Sequence, residues 1–400
     1  MKILMLGWEL PPHNSGGLGV ACYNMAKALS REGIDIDFVL PYKEPDLTIN
    51  NVNILSATDI ESSYDFESGA YNTRIDEETF IRNGEYVSIR DIQKEYDTFV
   101  EKYLTDHHPD AVHAHDWLTY EAGMLAKQKY NIPLIAHVHA TEFDRAGMKN
   151  GNPLIHEIEY EGLMLADRII AVSENTKRII HERYNIPLNK IEVIYNSLDD
   201  NYTKDYDFKT STYDYITQLK EKGYTVISTV GRFTVQKGLY HLLKAAKLAL
   251  SKNPKLLFIL AGDGEERNDL IRLSADLGIS DHVIFTGFVR GKKLRDIYTI
   301  TDVFIMSSVS EPFGLTALEA AHHKSALILT RQSGVSEIIW SAFKYNFWDE
   351  KKLADEILAL SSHPVLKTTL QNNVIEEYNK YSWEKVAKKC LKIYNSLRRS

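Results

Sequence analysis

The segment GRFTVQKG carries Arg232 and Lys237 just after an apolar run, Thr225–Val230, that reads as a strand. A planar guanidinium fork and a compact ammonium at the carboxyl end of a strand suit a diphosphate. Further along, EPFGLTALE sets Glu311 before a Pro312–Gly314 turn and Glu319 one turn into the helix that should start near Leu315. The first turn of that helix offers unpaired N–H groups to a phosphate. A carboxylate at Glu319 can accept two ribose hydroxyls. A third candidate is Gly16-Gly17-Leu18-Gly19, between the opening strand and its helix, where the lack of side chains lets a ligand approach the backbone. This is not a nicotinamide fingerprint. The connection from Trp8 to Ser15 is long and holds two prolines, and Asp35 and Asp37 open the second strand rather than close it.

Histidines form a fourth group, in HHPDAVHAHDW and HVHATE: His107, His108, His113, His115, His137 and His139. Paired histidines on strands can ligate a metal, but no cysteine or carboxylate completes an obvious set, so no metal site is assigned. Strand alternation predicts that one histidine of each pair is core and the other faces ligand. His139 closes its strand before a polar turn and is the better site candidate. The Asp35–Asp37 pair lies in GIDIDFVL, whose period of two marks a strand and not a metal clamp.

The elements that must position these residues alternate between strand and helix. Ile3–Leu6, Ile34–Leu40, Ala111–His113, Leu134–His137, Arg168–Val172 and Ile191–Ile194 read as strands. Gly19–Arg31, Thr119–Lys129 and Glu174–Tyr184 read as helices. The alternation restarts after residue 224 with strands Thr225–Val230, Leu256–Ala261, Val283–Thr286, Val303–Met306 and Ala326–Thr330, and with helices Gly238–Ser251, Arg267–Leu277 and Leu315–Ala321. Such a pattern predicts α/β architecture: two doubly wound, Rossmann-like domains of parallel strands, with ligand at the carboxyl ends of the strands in a cleft between the domains. The expected boundaries are 1–200 for the first domain, with a polar insertion at about 44–95, then 201–224 as linker and 225–380 as the second domain. A final helix from Ser382 shows Trp383, Val386, Cys390, Leu391, Tyr394 and Leu397 on one broad face.

Composition narrows the function classes. The 400 residues are 44% hydrophobic and 26% charged, a globular balance. Cys22 and Cys390 make no disulfide framework, and MKILMLGWE lacks the cleavage site of a signal peptide, so a reducing, cytoplasmic setting is expected. No run reaches the roughly 20 apolar residues of a membrane span. Residues 1–200 hold 18 Lys and Arg against 33 Asp and Glu, a net −15, and residues 201–400 hold 29 against 22, a net +7. The acidic half argues against nucleic acid and anionic membranes, and the basic half suits a small anion such as a nucleotide.

Taken in order, WELPPHNSGGLG, HAHDW, HVHATE, IEVIYNSLD, GRFTVQKG, SEPFGLTALEA and SGVSEII resemble the retaining glycosyltransferases of family four, with the GT-B fold, and among them the glycogen-synthase type. The resemblance runs through nearly the whole chain outside 44–95. It implies a hexosyltransferase using ADP- or UDP-glucose to extend an α-glucan, with no metal cofactor. A transferase of cell-surface or lipid-linked glycans is the related alternative, and a nucleotide-sugar epimerase or a non-catalytic nucleotide-sugar binder the unrelated ones. By resemblance, Arg232 and Lys237 bind the donor diphosphate, Glu311 the sugar hydroxyls and Glu319 the ribose. Phe313, Gly314, Leu315 and Thr316 form the turn whose amides meet sugar and phosphate. Gly17 approaches the diphosphate, Gly262 lies near the base, His139 meets the donor sugar, and Glu9 and Asp116 lie on the acceptor side. The final helix should cross back onto the first domain. Starch-synthase-type enzymes carry a lysine before the paired glycines. Asn14-Ser15 stand there in this chain, which favours family four.

Overall fold

The computed structural model describes residues 1–13, 16–44, 47–60, 78–82, 85–198 and 213–397. The chain divides into two units. The first holds Met1–Arg145, Lys149–Asn196 and Ser382–Ser400, and the second holds Ala146–Met148 and Ser197–Tyr381.

In the first unit the elements run β1 (Lys2–Leu6), α1 (Gly17–Arg31), β2 (Asp35–Leu40), β3 (Val52–Ser56), β4 (Glu78–Arg82), β5 (Glu85–Ser88), α2 (Ile89–Asp106), β6 (Ala111–His115), α3 (Trp117–Tyr130), β7 (Leu134–Val138), α4 (Pro153–Leu165), β8 (Arg168–Ala171), α5 (Glu174–Tyr184) and β9 (Ile191–Val193). Seven strands form one parallel sheet in the order β3-β2-β1-β6-β7-β8-β9, and β4 and β5 make a separate antiparallel pair. Strands β6 and β7 are buried at every position, as expected of a parallel sheet covered on both faces. Local chemistry sets the helix ends. Ser88 and Asp91 close a capping box at the start of α2, and Ser173 accepts from the Thr176 N–H at the start of α5. Asn131 and Asn185 adopt left-handed conformations that end α3 and α5.

The second unit runs α6 (Asp214–Glu221), β10 (Thr225–Val230), α7 (Leu239–Leu250), β11 (Leu256–Ala261), α8 (Arg267–Asp276), β12 (Val283–Gly287), α9 (Gly291–Ile300), β13 (Val303–Met306), α10 (Leu315–His322), β14 (Ala326–Thr330), β15 (Phe343–Tyr345), α11 (Glu350–Ser362) and α12 (Pro364–Tyr378). Its sheet is parallel, in the order β12-β11-β10-β13-β14-β15. In both sheets the order turns outward from the first strand in two directions. The switch points lie between β1 and β6 and between β10 and β13, where ligands of doubly wound sheets collect at the strand ends.

The last helix, α13 (Trp383–Leu397), belongs to the first unit. Trp383, Val386, Ala387, Cys390, Ile393 and Tyr394 are buried in that unit's core, with Leu391 and Leu397 packed at its margin.

Two boundaries differ from the sequence reading. The region 44–95 is not wholly an insertion, because Val52–Ser56 pairs with β2 in register as an edge strand and Ile89 already opens α2. Its polar character reflects an edge position whose residues are half-buried or exposed. Likewise 201–224 is not all linker. Residues 201–212 lie outside the described residues, but α6 follows, with Ile216, Tyr213 and Leu219 packed against Val226, Leu257 and Ile297. One apolar turn among polar neighbours is too short a signal to stand out from composition.

Candidate functional site

In the second unit, the carboxyl ends of β10 and β13 open a small hollow lined by Gly231, Arg232, Lys237, Ser307, Ser308, Glu311 and Thr316 among others. Lys237 reaches it from a short 3-10 turn, Val235–Lys237. Gly238 ends that turn at φ +60°, and a Cβ there would stand 2.4 Å from the Ser307 carbonyl oxygen. Only glycine fits so tight a left-handed junction. Lys237 Nζ is 2.5 Å from Glu311 Oε2, and Ser308 Oγ donates to the same oxygen at 3.1 Å. The Glu311 backbone is pinned to its neighbour, with its N–H on Gln332 O at 3.1 Å and its carbonyl accepting from Gly334 N at 2.9 Å. The side chains of Lys237 and Glu311 are 21% and 12% exposed, so the pair is shielded but reachable.

Gly314 begins α10 at φ +110°, against Met306, where a Cβ would be 2.8 Å from the thioether. Phe313 is buried and its carbonyl accepts from Val335 N at 2.6 Å, while Leu315 and Thr316 are half-buried at the helix start. No side chain caps α10, which leaves its first amides for a ligand. Glu319 is held differently. Tyr298 donates to its Oε2 at 2.7 Å, and burial pushes its carboxyl above the usual range, against that bond. Gly262 packs backbone against backbone, since a Cβ there would lie 1.8 Å from Gly231 O.

The first unit gathers the other candidates. Gly17 is exposed at the start of α1. His139 follows β7, half-buried, and its N–H donates to Asp116 Oδ1 at 2.6 Å, with Ala140 N on the same oxygen at 3.3 Å. Asp116 is 3% exposed with φ +59°, and Glu9 is 2% exposed and accepts from Gly19 N at 3.1 Å. Both were expected on the acceptor side. Both carboxylates are buried and accept from backbone amides, Glu9 in the first turn of α1 and Asp116 at the exit of β7. Burial pushes the Asp116 carboxyl up to about 7, opposed by Arg145.

The histidines also correct the sequence reading. His113 and His115 are both fully buried, so the pair on β6 does not divide into core and ligand-facing members, whereas on β7 His137 is buried and His139, just past the strand end, is half-buried. Residues two apart on a strand point the same way, so an HxH pair shares one face. His113 Nδ1 meets Tyr394 Oη at 2.7 Å, His113 Nε2 meets His137 Nδ1 at 3.1 Å, and His115 Nδ1 meets His139 Nε2 at 2.9 Å. Burial holds His113 and His139 down to about 3, and His115 and His137 well below the ordinary range, so all four are neutral.

Sequence reasoning passed over Arg145. Its Nε is 3.0 Å from Glu142 Oε2, its Nη2 2.5 Å from Glu159 Oε1, and its Nη1 donates to Ala140 O at 3.0 Å. This buried cluster fixes the strand exit that carries His139. The TEFDR segment hints at a Glu–Arg pair at helical spacing, but nothing in the order of residues points to Glu159.

The chain matches known families end to end. A family model described as Glycosyltransferase Family 4 covers residues 15–202, and one described as Glycosyl transferases group 1 covers 215–380. An uncharacterized glycosyltransferase of Methanocaldococcus jannaschii is 30% identical over 409 residues, spanning 98% of this chain and 98% of that protein. A glycogen synthase of Mycobacterium tuberculosis is 26% identical, over 85% of this chain and 80% of its own length. Among solved structures, the HepE protein of Anabaena in complex with UDP-glucose superposes with a TM-score of 0.71 at 18% identity, covering 99% of this chain and all of that one. Among the described residues, no helix is long and apolar enough to cross a membrane.

Proposed function

This chain belongs to the glycosyltransferases, with a family 4 amino-terminal half and a group 1 carboxyl-terminal half, and from that premise we propose that it moves glucose from ADP- or UDP-glucose onto an α-glucan with retention at the anomeric carbon. The observation that carries the reading is the hollow in the second unit, where Arg232, Lys237, Glu311 and Thr316 converge at the strand ends. Breaking the glycosidic bond leaves charge on the diphosphate. Arg232, Lys237 and the free amides at the start of α10 meet that charge with positive charges fixed in advance, which lowers the barrier without reorganisation. In the unliganded protein Glu311 holds Lys237 at 2.5 Å. An incoming diphosphate takes over the ammonium and frees Glu311 to accept hydroxyls of the sugar. Glu319, steadied by Tyr298, takes the ribose. Because protein cations neutralise the leaving group, turnover proceeds with a chelator present. The glycogen synthase of Mycobacterium tuberculosis, which spans most of this chain, supports the glucan acceptor, and the UDP-glucose bound to HepE supports a glucose donor.

The test is incubation with a panel of nucleotide sugars, with and without glycogen, following nucleotide release and the anomeric configuration of the product. A glucose donor should release nucleotide faster when glycogen is added and give an α-linkage. No release from any donor would sink the transferase reading. Release that glycogen does not stimulate would sink the acceptor, and a β-linked product would sink retention.

A further inference from the structure

The two glutamates of EPFGLTALE are supported in different ways. Glu311 has the Lys237 ammonium beside it. Among the described residues no cation acts on Glu319, and its one hydrogen-bond donor is the Tyr298 hydroxyl, 2.7 Å from Oε2. We propose that Tyr298 is a positioning residue for nucleotide recognition, holding Glu319 so that the site prefers ribose to deoxyribose in the donor, a role that rests on Glu319 being the ribose acceptor of that site.

The geometry divides the two oxygens of Glu319 between protein and ligand. Thr316 and Glu319 stand three residues apart on α10 and so share a face, and Thr316 lines the hollow. Oε2 is taken by Tyr298, while Oε1 accepts no bond among the described residues and is not sealed from solvent. Tyr298 comes from α9 and is fully buried. Its ring packs against Phe304 of β13 and His323 of α10, with centroids 6.0 Å and 5.8 Å away, which leaves the hydroxyl little freedom. An ionised carboxylate is acceptor-only, the form that two ribose hydroxyls require, and a protonated one gives up an acceptor position to its own O–H. Burial works against the ionised form of Glu319, and the phenol bond works for it. The other titratable groups on the elements packed around it do not act on it: His322 and His323 on α10, Arg295 and Asp296 on α9, Glu337 after β14, and Glu377 and Tyr378 on α12. Arg295, Asp296 and His322 act on His323 instead, and Tyr378 meets His322 at 2.9 Å. A deoxyribose would leave the carboxylate desolvated and short of a partner, the circumstance in which a polar site rejects an analogue most strongly.

The experiment measures binding of UDP, ADP and their 2′,3′-dideoxy forms to the full chain by calorimetry, across mildly acidic to mildly basic pH. At neutral pH the wild-type chain should prefer the ribonucleotide it binds by roughly 100-fold, the scale of charge-assisted hydrogen bonds. Tyr298→Phe removes the hydroxyl and keeps the ring, and should cut that preference to roughly 10-fold or less. Its affinity for the dideoxy forms should equal that of wild type, since the diphosphate contacts are untouched. The preference fades as the carboxyl takes up a proton. The lost bond had favoured the ionised form, so the fading should begin at higher pH in Tyr298→Phe than in wild type. An unchanged preference, or a smaller one with no shift of its pH profile, overturns the positioning role. Should Tyr298→Phe not fold, Glu319→Gln decides. It keeps the shape of the side chain but cannot ionise, so a weak preference that is flat with pH supports the role, and a preference as large as in wild type overturns it. A wild-type chain that binds a diphosphate without favouring ribose overturns the role and leaves the donor site standing. One that binds neither UDP nor ADP removes the donor site as well.

Discussion

Each unit holds a cation clasped by carboxylate, and the two clasps differ in what surrounds them. In the first unit Arg145 is 6% exposed and Glu142 and Glu159 are 0% and 3%, with Tyr184 also donating to Glu159. All its donors are directed inward, one of them to the carbonyl that follows His139. In the second unit Lys237 and Glu311 face a hollow and stay partly exposed. A sealed cluster cannot exchange partners, because each vacated charge would be left dry. An ammonium on a flexible stem beside open space can leave its carboxylate for a phosphate at small cost. The lesson is that ion pairing alone does not mark a ligand site. The sealed pair holds a strand exit in place, and the open pair is available for binding.

The largest expected effect separates the two clasps by stability. Arg145→Met leaves two buried carboxylates without their cation and should cost about 3–5 kcal/mol in denaturant unfolding. A loss below about 1 kcal/mol would show that the cluster is not sealed. The next effect separates them by rate. Lys237→Ala should lower kcat for nucleotide release by about 10²–10³. Its unfolding midpoint should scarcely move, as for pairs that water reaches. Unchanged turnover would remove Lys237 from the donor site, and a large stability loss would make it a second Arg145.

The smallest effect tests whether burial by itself has consequences in the second unit. His323 is 7% exposed, its Nδ1 lies 2.9 Å from Thr299 Oγ1, and burial holds it down to about 4. Its folded value lies below the unfolded value of about 6.5, so the unfolded chain binds the extra proton and stability is lost as pH falls from about 6.5 towards 4. His323→Asn should flatten the dependence of stability on pH by up to about 1.4 kcal/mol per pH unit within that window and change nothing above pH 7. An unaltered slope would mean that the imidazole is solvated in the folded protein.

Much of this molecule is legible in one dimension. Thr225–Val230 and Leu256–Ala261 are strands at the predicted bounds, because an apolar run between turn formers has one good fate in a parallel sheet. Arg232, Lys237 and Glu311 were singled out by residue type and Thr316 by resemblance, and they line one hollow because each follows a strand that ends at the same edge of its sheet. The three residues of β15 and the helices α11 and α12 were not picked out. Phe343–Tyr345 is too short to show a period, and it becomes a strand by pairing with β14.

The sequence by itself determined the class of fold and the chemistry on offer, since both follow from local periodicity and from residue type next to a turn. Only the tertiary structure decided which groups are neighbours. Arg145 meets Glu159, Tyr298 meets Glu319, and Tyr394 from the last helix meets His113, each across a gap set by strand order and helix packing. Spacing along a chain fixes which way a side chain points on its own element. It carries no information about what stands opposite, and burial then decides whether a charged pair is a fixture or can give way to a ligand.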